Sequence, residues 1–567
     1  MKNYTVYQGH SPELSSLSPL LQILLSRRGI KDLDIAERFL NPSYERDVHD
    51  PFLMKGMEEA VQRILLGISR GERIAVYSDY DADGIPGAVI LSDFFKRIKY
   101  ENFSVYIPHR GDEGYGVHLQ AIKSLKKEKV SVIITIDCGT NDAEALTLAK
   151  KNGIDVIVAD HHLPSHALPP AFAILNTKQD GCSYPEKMLC GAGTVFKLIQ
   201  GLFLKNNFSL PKGIEKWSLD MVALATLSDV VPLIGENRAF ARYGLTVLRR
   251  SPRPGLRALL RKIKLSQAHL SEEDVTFMLT PRINAASRMG NPYDAFTLLS
   301  TTDELVAQGQ ADLLHDLNEK RKGVVAVTVK EINERMKHET LKRKIIVMGS
   351  PSWKPSLLGL VATKISEEEN VPVFLWGREE NEIIRGSCRS DGNINVVVLM
   401  DSTKNVFTRF GGHRLAGGFT VSADGIHIIE SELLKAHAAL SEESLSKPTP
   451  IIDARLLLGD IDWGLYKMID LLSPFGLENP KPLFLFENVH IEEVKHFGKK
   501  EKVHLSLSLS DGKGKQISGI SFFTSLDDLS FPPLSGMRAN VVGHVEKSVF
   551  RGFPELRLRI VDVLPIS

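Results

Sequence analysis

Long apolar runs, paired cysteines and net charge are all scarce in this chain of 567 residues. No stretch approaches the ~18 consecutive apolar residues of a membrane-crossing helix, so no membrane contact is expected. The four cysteines, Cys138, Cys182, Cys190 and Cys388, form no Cys-x-x-Cys pair. That spacing supports no disulfide framework. The first ten residues carry no apolar signal core, and a reducing cytoplasm is the expected setting. With 70 Lys+Arg against 69 Asp+Glu, the formal charge is +1. There is thus no bulk attraction to nucleic acid, and such a partner would have to be held by local basic patches. Candidate patches are Lys123/Lys126/Lys127/Lys129, Arg249/Arg250/Arg253 with Arg257 and Arg261, Lys320/Arg321/Lys322, and Lys499/Lys500/Lys502.

What is present is an ordinary globular composition, 43% hydrophobic and 25% charged, over a length that implies roughly three to four domains. The informative stretch is Asp79-Tyr80-Asp81-Ala82-Asp83-Gly84, directly after the apolar run Ile74-Ala75-Val76-Tyr77. Such a run reads as a buried strand of a parallel sheet. If the extended form persists, Asp79, Asp81 and Asp83 share one face at its carboxyl end. Gly84 then permits a sharp turn into a helix. Ligands of open α/β sheets sit at that end, and three acids packed there need cations to offset their repulsion. An EF-hand loop opens in the same way, but its twelfth position here is Ile90 rather than Glu, and Pro86 intrudes. A solvated acidic turn is the plainer alternative for this stretch by itself.

The next two strands weigh against that alternative. Val130 to Ile136 ends in Asp137-Cys138-Gly139, and Ile154 to Ala159 ends in Asp160-His161-His162. Parallel strands spaced by helices gather such ends into one crevice. In extended backbone His161 and His162 point to opposite faces, so a single direct ligand is expected from the pair. Asp229 ends a further apolar, helical run. Mixed carboxylate and imidazole donors suit manganese or magnesium better than structural zinc. A carboxylate shared by two such ions would support metal-assisted hydrolysis of phosphoesters or phosphoanhydrides.

Downstream, Arg282 and Arg288 flank Asn284, guanidiniums suited to phosphate. Asp303 to Met336 reads as one long helix. A strand at Lys344 to Met348 opens a second α/β domain carrying Gly386-Ser387-Cys388-Arg389-Ser390 and Gly411-Gly412-His413-Arg414-Leu415-Ala416-Gly417-Gly418. The last 120 or so residues read as short strands, with Asp511-Gly512 as a hairpin turn. They suggest a small barrel of oligonucleotide-binding type with Lys499, Lys500, Lys502, Phe550 and Arg551 along its groove.

In order and spacing the three acidic motifs resemble those of the DHH phosphoesterases. Further matches are similar to the RecJ branch of single-strand-specific exonucleases. They are Arg27-Arg28-Gly29-Ile30, Asp50-Pro51-Phe52-Leu53, Arg110 to Gly116, Gly235-Glu236-Asn237-Arg238, Pro281 to Ala286, and Pro474-Phe475-Gly476 with Asn479-Pro480. The resemblance implies metal ligation by Asp81, Asp83, Asp137, His161 and Asp229, with two Mn²⁺ or Mg²⁺ ions. Asp79, Asp160 and His162 would complete the site as catalytic or orienting groups. DNA and its 5′ phosphate would meet Arg110, Arg282, Asn284, Ser387, Arg389, Gly411, Gly412 and His413.

The activity so implied is 5′→3′ digestion of single-stranded DNA to mononucleotides in recombination and repair. The implied actor is a monomer, assisted by a helicase and a single-strand-binding protein. An inert DNA-bound scaffold and a small-oligonucleotide phosphodiesterase are the alternatives. Lys354, Ser287, Cys388 and Ile85-Pro86 depart from the family pattern. The expected architecture is a helical segment over 1–70, a parallel-sheet DHH domain over 71–235 and a helical connector over 236–340. A DHH-associated α/β domain over 341–445 and an oligonucleotide-binding β-barrel over 446–567 follow.

Overall fold

In the computed structural model the described residues are 4–9, 11–165, 167–337, 343–379, 382–439, 449–498, 504–549 and 553–566. The chain divides into two compact units, one of Pro51–Asp229 with Gly244–Pro448, the other of Met1–Asp50, Val230–Tyr243 and Thr449–Ser567.

In the first unit, β1 (Arg73–Ser78), β2 (Phe103–Tyr106), β3 (Val130–Ile136), β4 (Asp155–Ala159) and β5 (Ala173–Leu175) form a parallel sheet in the order β2-β1-β3-β4-β5. The strands read as unbroken apolar runs because both faces are covered. Ala75, Tyr77 and Ile133 pack on one face against Ile122 of α2 (Leu119–Lys127) and Leu146 of α3 (Ala143–Lys151). The helix α1 (Gly84–Arg97) and α4 (Gly191–Lys205) pack with the same domain, and α5 (Leu219–Ser228) contacts both. Strand order reverses between β1 and β3, the place where such sheets open a crevice at their carboxyl ends.

Beyond α6 (Thr280–Met289), the 33-residue helix α7 (Glu304–Met336) begins where Asp303 Oδ1 accepts the N–H groups of Leu305 and Val306 at 2.7 and 2.9 Å. It buries Ala307, Ala311 and Leu314 in its first half and Val329 and Ile332 in its second. It leads to a mixed sheet of β6 (Ile346–Gly349), β7 (Val373–Arg378), β8 (Ile384–Arg389), β9 (Phe407–His413) and β10 (Ala416–Val421), ordered β9-β10-β8-β7-β6. The helices α8 (Pro355–Glu369) and α9 (Val396–Ser402) pack against it. Both α/β domains and the long connecting helix expected from the sequence are present.

In the second unit, β11 (Phe484–Phe497), β12 (His504–Ser510), β13 (Gln516–Ser521), β14 (Met537–Ser548) and β15 (Glu555–Leu564) run β11-β12-β13-β15-β14. A β11–β14 pairing closes them into a barrel. Along β12, Leu505, Leu507 and Leu509 point inward while Ser506 and Ser508 do not, the period-two pattern of a closed sheet. Asp511 ties the expected turn by accepting the N–H groups of Lys513 and Lys515 at 2.7 and 3.0 Å. The proposed groove residues Lys499, Lys500, Lys502, Phe550 and Arg551 lie outside the described residues.

Several of the scattered sequence motifs meet inside this second unit, and their role there is structural. Arg238, fully buried, donates to the carbonyls of Phe39, Leu472, Leu471 and Ser473 at 2.7–3.0 Å. Arg28 donates to Asn479 Oδ1 at 2.6 Å, and Asn479 Nδ2 donates to the carbonyls of Leu472 and Pro474, both at 2.8 Å. A guanidinium carries five N–H donors in a fixed fork, and several converging carbonyls satisfy that fork inside the fold. Among the basic patches, Arg253 is correspondingly unavailable to nucleic acid. It is largely enclosed and held in ion pairs with Asp93 and Asp220, both at 2.7 Å.

Candidate metal centre and substrate cleft

The acidic motif does not stay extended. Strand β1 ends at Ser78, and Asp81 Oδ1 accepts the N–H groups of Asp83 and Gly84 at 2.8 and 3.2 Å, which curls the chain into a turn. The three carboxylates therefore do not line up on one strand face. Asp79 and Asp81 turn toward Asp137. Asp83 turns toward the first turn of α4, where its two oxygens accept the N–H groups of Gly191 and Ala192 at 2.6 and 2.7 Å. Gly84 is a helical residue with no positive φ, and the expected need for its flexibility gives way to a need for space. A Cβ there would lie 2.5 Å from the Asp79 carbonyl oxygen. At Gly191 a Cβ would lie 2.7 Å from Asp137 Cβ.

The histidine pair also departs from the extended form. Asp160 Oδ1 accepts the N–H groups of both His161 and His162, at 2.7 and 3.2 Å, and Nδ1 of His162 at 2.7 Å. This folds the backbone so that the two rings lie 4.8 Å apart rather than on opposite faces. His161 Nε2 stands 3.1 Å from Asp137 Oδ1 and 3.7 Å from Asp83 Oδ2, and its Nδ1 stands 3.7 Å from Asp229 Oδ2.

Three overlapping groups of donor atoms result, each within 4.8 Å: Asp79/Asp81/Asp137, Asp137/His161/His162 and Asp83/His161/Asp229. Buried atoms Asp79 Oδ1 and Asp137 Oδ1 have no hydrogen-bond partner among the described residues. A buried carboxylate oxygen with no donor needs a cation, a proton or a water to satisfy it, and with three acids and an imidazole converging here the residues fit divalent cations. Their oxygen and nitrogen chemistry matches Mn²⁺ or Mg²⁺.

The electrostatics agree. Burial, then the charge of Asp81, pushes Asp79 well above the usual carboxylate range and Asp83 up to about 7. Burial with Asp83, Asp81 and Asp79 does the same to Asp137. Burial and Asp83 push Asp229, the most open of the set, up to about 9. Burial lowers His161 to about 3, leaving a neutral imidazole that can ligate. Asp160 behaves oppositely: against burial, its hydrogen bonds from His162 and Thr140 hold it ionised. Burial opposes the charge on His162, but Asp160 outweighs it and raises that pKa.

Next to this floor lies a cleft of about 1460 Å³, with Tyr80, Arg110 and Tyr115 on one wall and Ser387, Gly411 and Gly418 on the other. Gly411, Gly418 and Ser387 are register neighbours across β9, β10 and β8. A Cβ at Gly411 would meet nothing within 4 Å, so packing does not require glycine there. Bare backbone facing a cleft admits close approach by a ligand. Arg389 donates to Thr363 Oγ1 at 3.1 Å, and its guanidinium would lie 2.8 Å from a Cβ on Gly359 of α8. Gly412 and His413 sit at the exposed end of β9.

Other expected contacts fall differently. Asn284 Oδ1 accepts the N–H of Ala82 at 2.9 Å, bracing the acidic turn. Arg282 is buried, donating to the Met278 carbonyl at 2.6 Å. Arg288 donates to the Ser356 carbonyl at 2.8 Å. Burial, with Arg110 and Arg321 nearby, lowers its pKa to about 9. Of the departures, Cys388 faces the core, 3.9 Å from Met400 Sδ, and Ser287 is buried in α6, whereas Lys354 is exposed at the start of α8.

Sequence reasoning missed Tyr115 as a site residue: its hydroxyl donates to the Asp137 carbonyl at 3.1 Å and lies 3.0 Å from His162 Nδ1. It also missed Lys178, whose Nζ donates to the His161 carbonyl at 2.6 Å. Their positions between glycines and after a short strand were the available signals.

Fold and site together define a metal-dependent phosphoesterase of DHH organisation. The chain matches the DHH family N-terminal domain over residues 73–226, the DHHA1 domain over 342–442 and the RecJ OB domain over 452–562. It is 34% identical to the single-stranded-DNA-specific exonuclease RecJ of Bacillus subtilis over 96% of this chain and 68% of that one. To the RecJ of Thermus thermophilus it is 32% identical over 90% and 71%. The crystal structure of Thermus thermophilus RecJ in complex with Mn²⁺ superposes with TM-score 0.80 at 26% identity, covering 100% of this chain and 80% of that one. The chain belongs to the RecJ family of single-stranded-DNA-specific exonucleases.

Proposed function

We propose that this protein is a single-stranded-DNA exonuclease that hydrolyses phosphodiesters from the 5′ end to mononucleotides. The observation that carries the reading is the sharing of Asp137 and His161 among three donor groups beside an open cleft. Asp81, Asp83, Asp137, His161 and Asp229 would hold two divalent ions, which supply a nucleophilic water and charge neutralisation at the phosphate. Asp79 adds a further carboxylate to that set. Asp160 keeps its charge and holds the Nδ1 proton of His162, which leaves Nε2 as the atom able to take up or deliver a proton. Arg110, stacked 5.0 Å over Tyr80, supplies positive charge to the strand as it passes. Ser387, Arg389 and the glycine row of β9 and β10 receive the terminal phosphate.

The barrel supports a strand longer than a dinucleotide. Exposed Phe497 and Phe523 flank the half-buried His504, with ring centroids 5.1 and 4.8 Å from its own, and Arg557 and Arg559 lie over Phe522. Aromatic rings beside guanidiniums stack bases without regard to sequence. This disfavours a small-oligonucleotide phosphodiesterase. A complete acidic set disfavours the inert scaffold. The reading implies work in recombination and repair in the cytoplasm, by a monomer supplied with single strands by a helicase and assisted by a single-strand-binding protein.

Digestion of 5′- and 3′-labelled single strands and duplex controls with Mn²⁺ tests the proposal. Mononucleotides released first from the 5′ label, with duplex spared, support it. Activity confined to dinucleotides, or none with any metal, rejects it.

A further inference from the structure

The carboxyl ends of β1, β3 and β4 deliver the acids and imidazoles. The neighbouring edge strand β5 delivers something else: Asn176-Thr177-Lys178, directly after its last residue, Leu175. The ladder between β4 and β5 continues one residue past the end of β4, since the Asp160 N–H donates to the carbonyl of Leu175, the last residue of β5, at 3.0 Å. That register puts residues 160–162 beside residues 176–178. Asn176 Nδ2 donates to the His162 carbonyl at 2.8 Å, and Lys178 Nζ donates to the His161 carbonyl at 2.6 Å.

The Asn176 carboxamide is itself fixed, its Oδ1 accepting the Lys178 N–H at 2.9 Å and its Nδ2 also reaching Thr140 Oγ1 at 3.1 Å. On the opposite side, Asp160 Oδ1 accepts both histidine N–H groups. Every backbone polar group of the His161-His162 pair therefore has a side-chain partner. This fixes the backbone from which both imidazoles project, and so their reach toward Asp83 and Asp137.

We propose that Asn176 and Lys178 are positioning residues that grip the carbonyls of the histidine pair and so set its hold on divalent metal. The proposal rests on the metal-centre reading above. It makes a prediction opposite in sign to simple electrostatics. Lys178 lies within electrostatic range of Asp229 and Asp160. Deleting its ammonium would, by Coulomb attraction alone, tighten binding of a cation. Loss of the grip loosens it instead.

The test is titration of Mn²⁺ by calorimetry into metal-free full-length wild type, Lys178→Met, Lys178→Arg and Asn176→Ala, with thermal melts of each metal-free form. Electron-spin-echo spectra of the Mn²⁺-loaded forms report the imidazole-nitrogen modulation. Lys178→Met and Asn176→Ala should weaken Mn²⁺ binding about tenfold or more. Lys178→Arg should return to within about threefold of wild type, because it restores a charged donor. The nitrogen modulation should diminish in Lys178→Met and recover in Lys178→Arg.

Equal or tighter Mn²⁺ binding by Lys178→Met overturns the proposal, as does weakening that Lys178→Arg fails to relieve. If Lys178→Met does not fold, Lys178→Gln decides by the same criteria. Wild type that binds no Mn²⁺ overturns the metal-centre reading itself, a separate result.

Discussion

His161 Nε2 lies 3.1 Å from Asp137 Oδ1, yet that oxygen makes no hydrogen bond. Two lone-pair atoms of neutral imidazole and carboxylate, one at the end of β3 and the other just past the end of β4, aim at the same space. A shared proton holds such a pair together in the metal-free chain, and a divalent cation can take its place. Replacing Asp137 by Asn should therefore abolish hydrolysis, by a factor of about 10³ or more, while single-strand binding in the absence of metal changes little. The same variant should raise the melting temperature of the metal-free protein near pH 8, because it removes one buried carboxylate from a repelling set. Nuclease assays, filter binding and thermal melts check these three outcomes together.

The pH dependence has a defined sign. Asp83 and Asp229 are raised to about 7 and about 9 in the folded chain, against roughly 3.9 unfolded. Their protonated forms thus contribute stability that is complete below about pH 4 and lost as pH rises through 7 and then 9. The EDTA-treated protein should lose stability between pH 5 and 9 by more than its Asp137→Asn variant does. Added Mn²⁺ should restore it, the gain in melting temperature growing with pH. Calorimetric melts at several pH values, with and without metal, measure both.

Gly84 sits where a Cβ would be 2.5 Å from the Asp79 carbonyl oxygen. Backbone cannot yield as a side chain does. Gly84→Ala should cost about 1–3 kcal/mol of stability and displace Asp79, lowering kcat more than it raises KM for single strands. Steady-state kinetics beside a denaturant titration separates the two effects.

At Gly418 the case reverses, since the nearest atom to a Cβ is 3.8 Å away. Gly418→Val should fold with near-normal stability yet fill the cleft wall beside Ser387. We expect KM for single strands to rise several-fold with little change in melting temperature.

Strands β1, β3 and β4 and the acids at their ends were legible because a parallel strand covered on both faces must be a continuous apolar run. Its carboxyl end is then fixed by where polarity returns. How those acids meet was not legible. The extended reading of Asp79, Asp81 and Asp83 fails because Asp81 captures the N–H groups of Asp83 and Gly84. The splayed reading of His161 and His162 fails because Asp160 captures theirs. Short polar side chains compete with the strand for its own donors, and that competition is settled by neighbours in space. Strand β5 is three residues long, too short for periodicity to reveal, so Asn176 and Lys178 went with it. The motifs Gly235-Glu236-Asn237-Arg238 and Asn479-Pro480 are as distinctive as the acidic ones, but they serve a buried junction around Arg238 and Arg28 rather than chemistry.

The most direct measurement is anomalous diffraction at the manganese edge from crystals of the protein soaked in Mn²⁺. The account predicts two peaks, both within coordinating distance of Asp137, with His161 on at least one of them. An anomalous map empty at this floor, or peaks bound only to surface carboxylates, would contradict it.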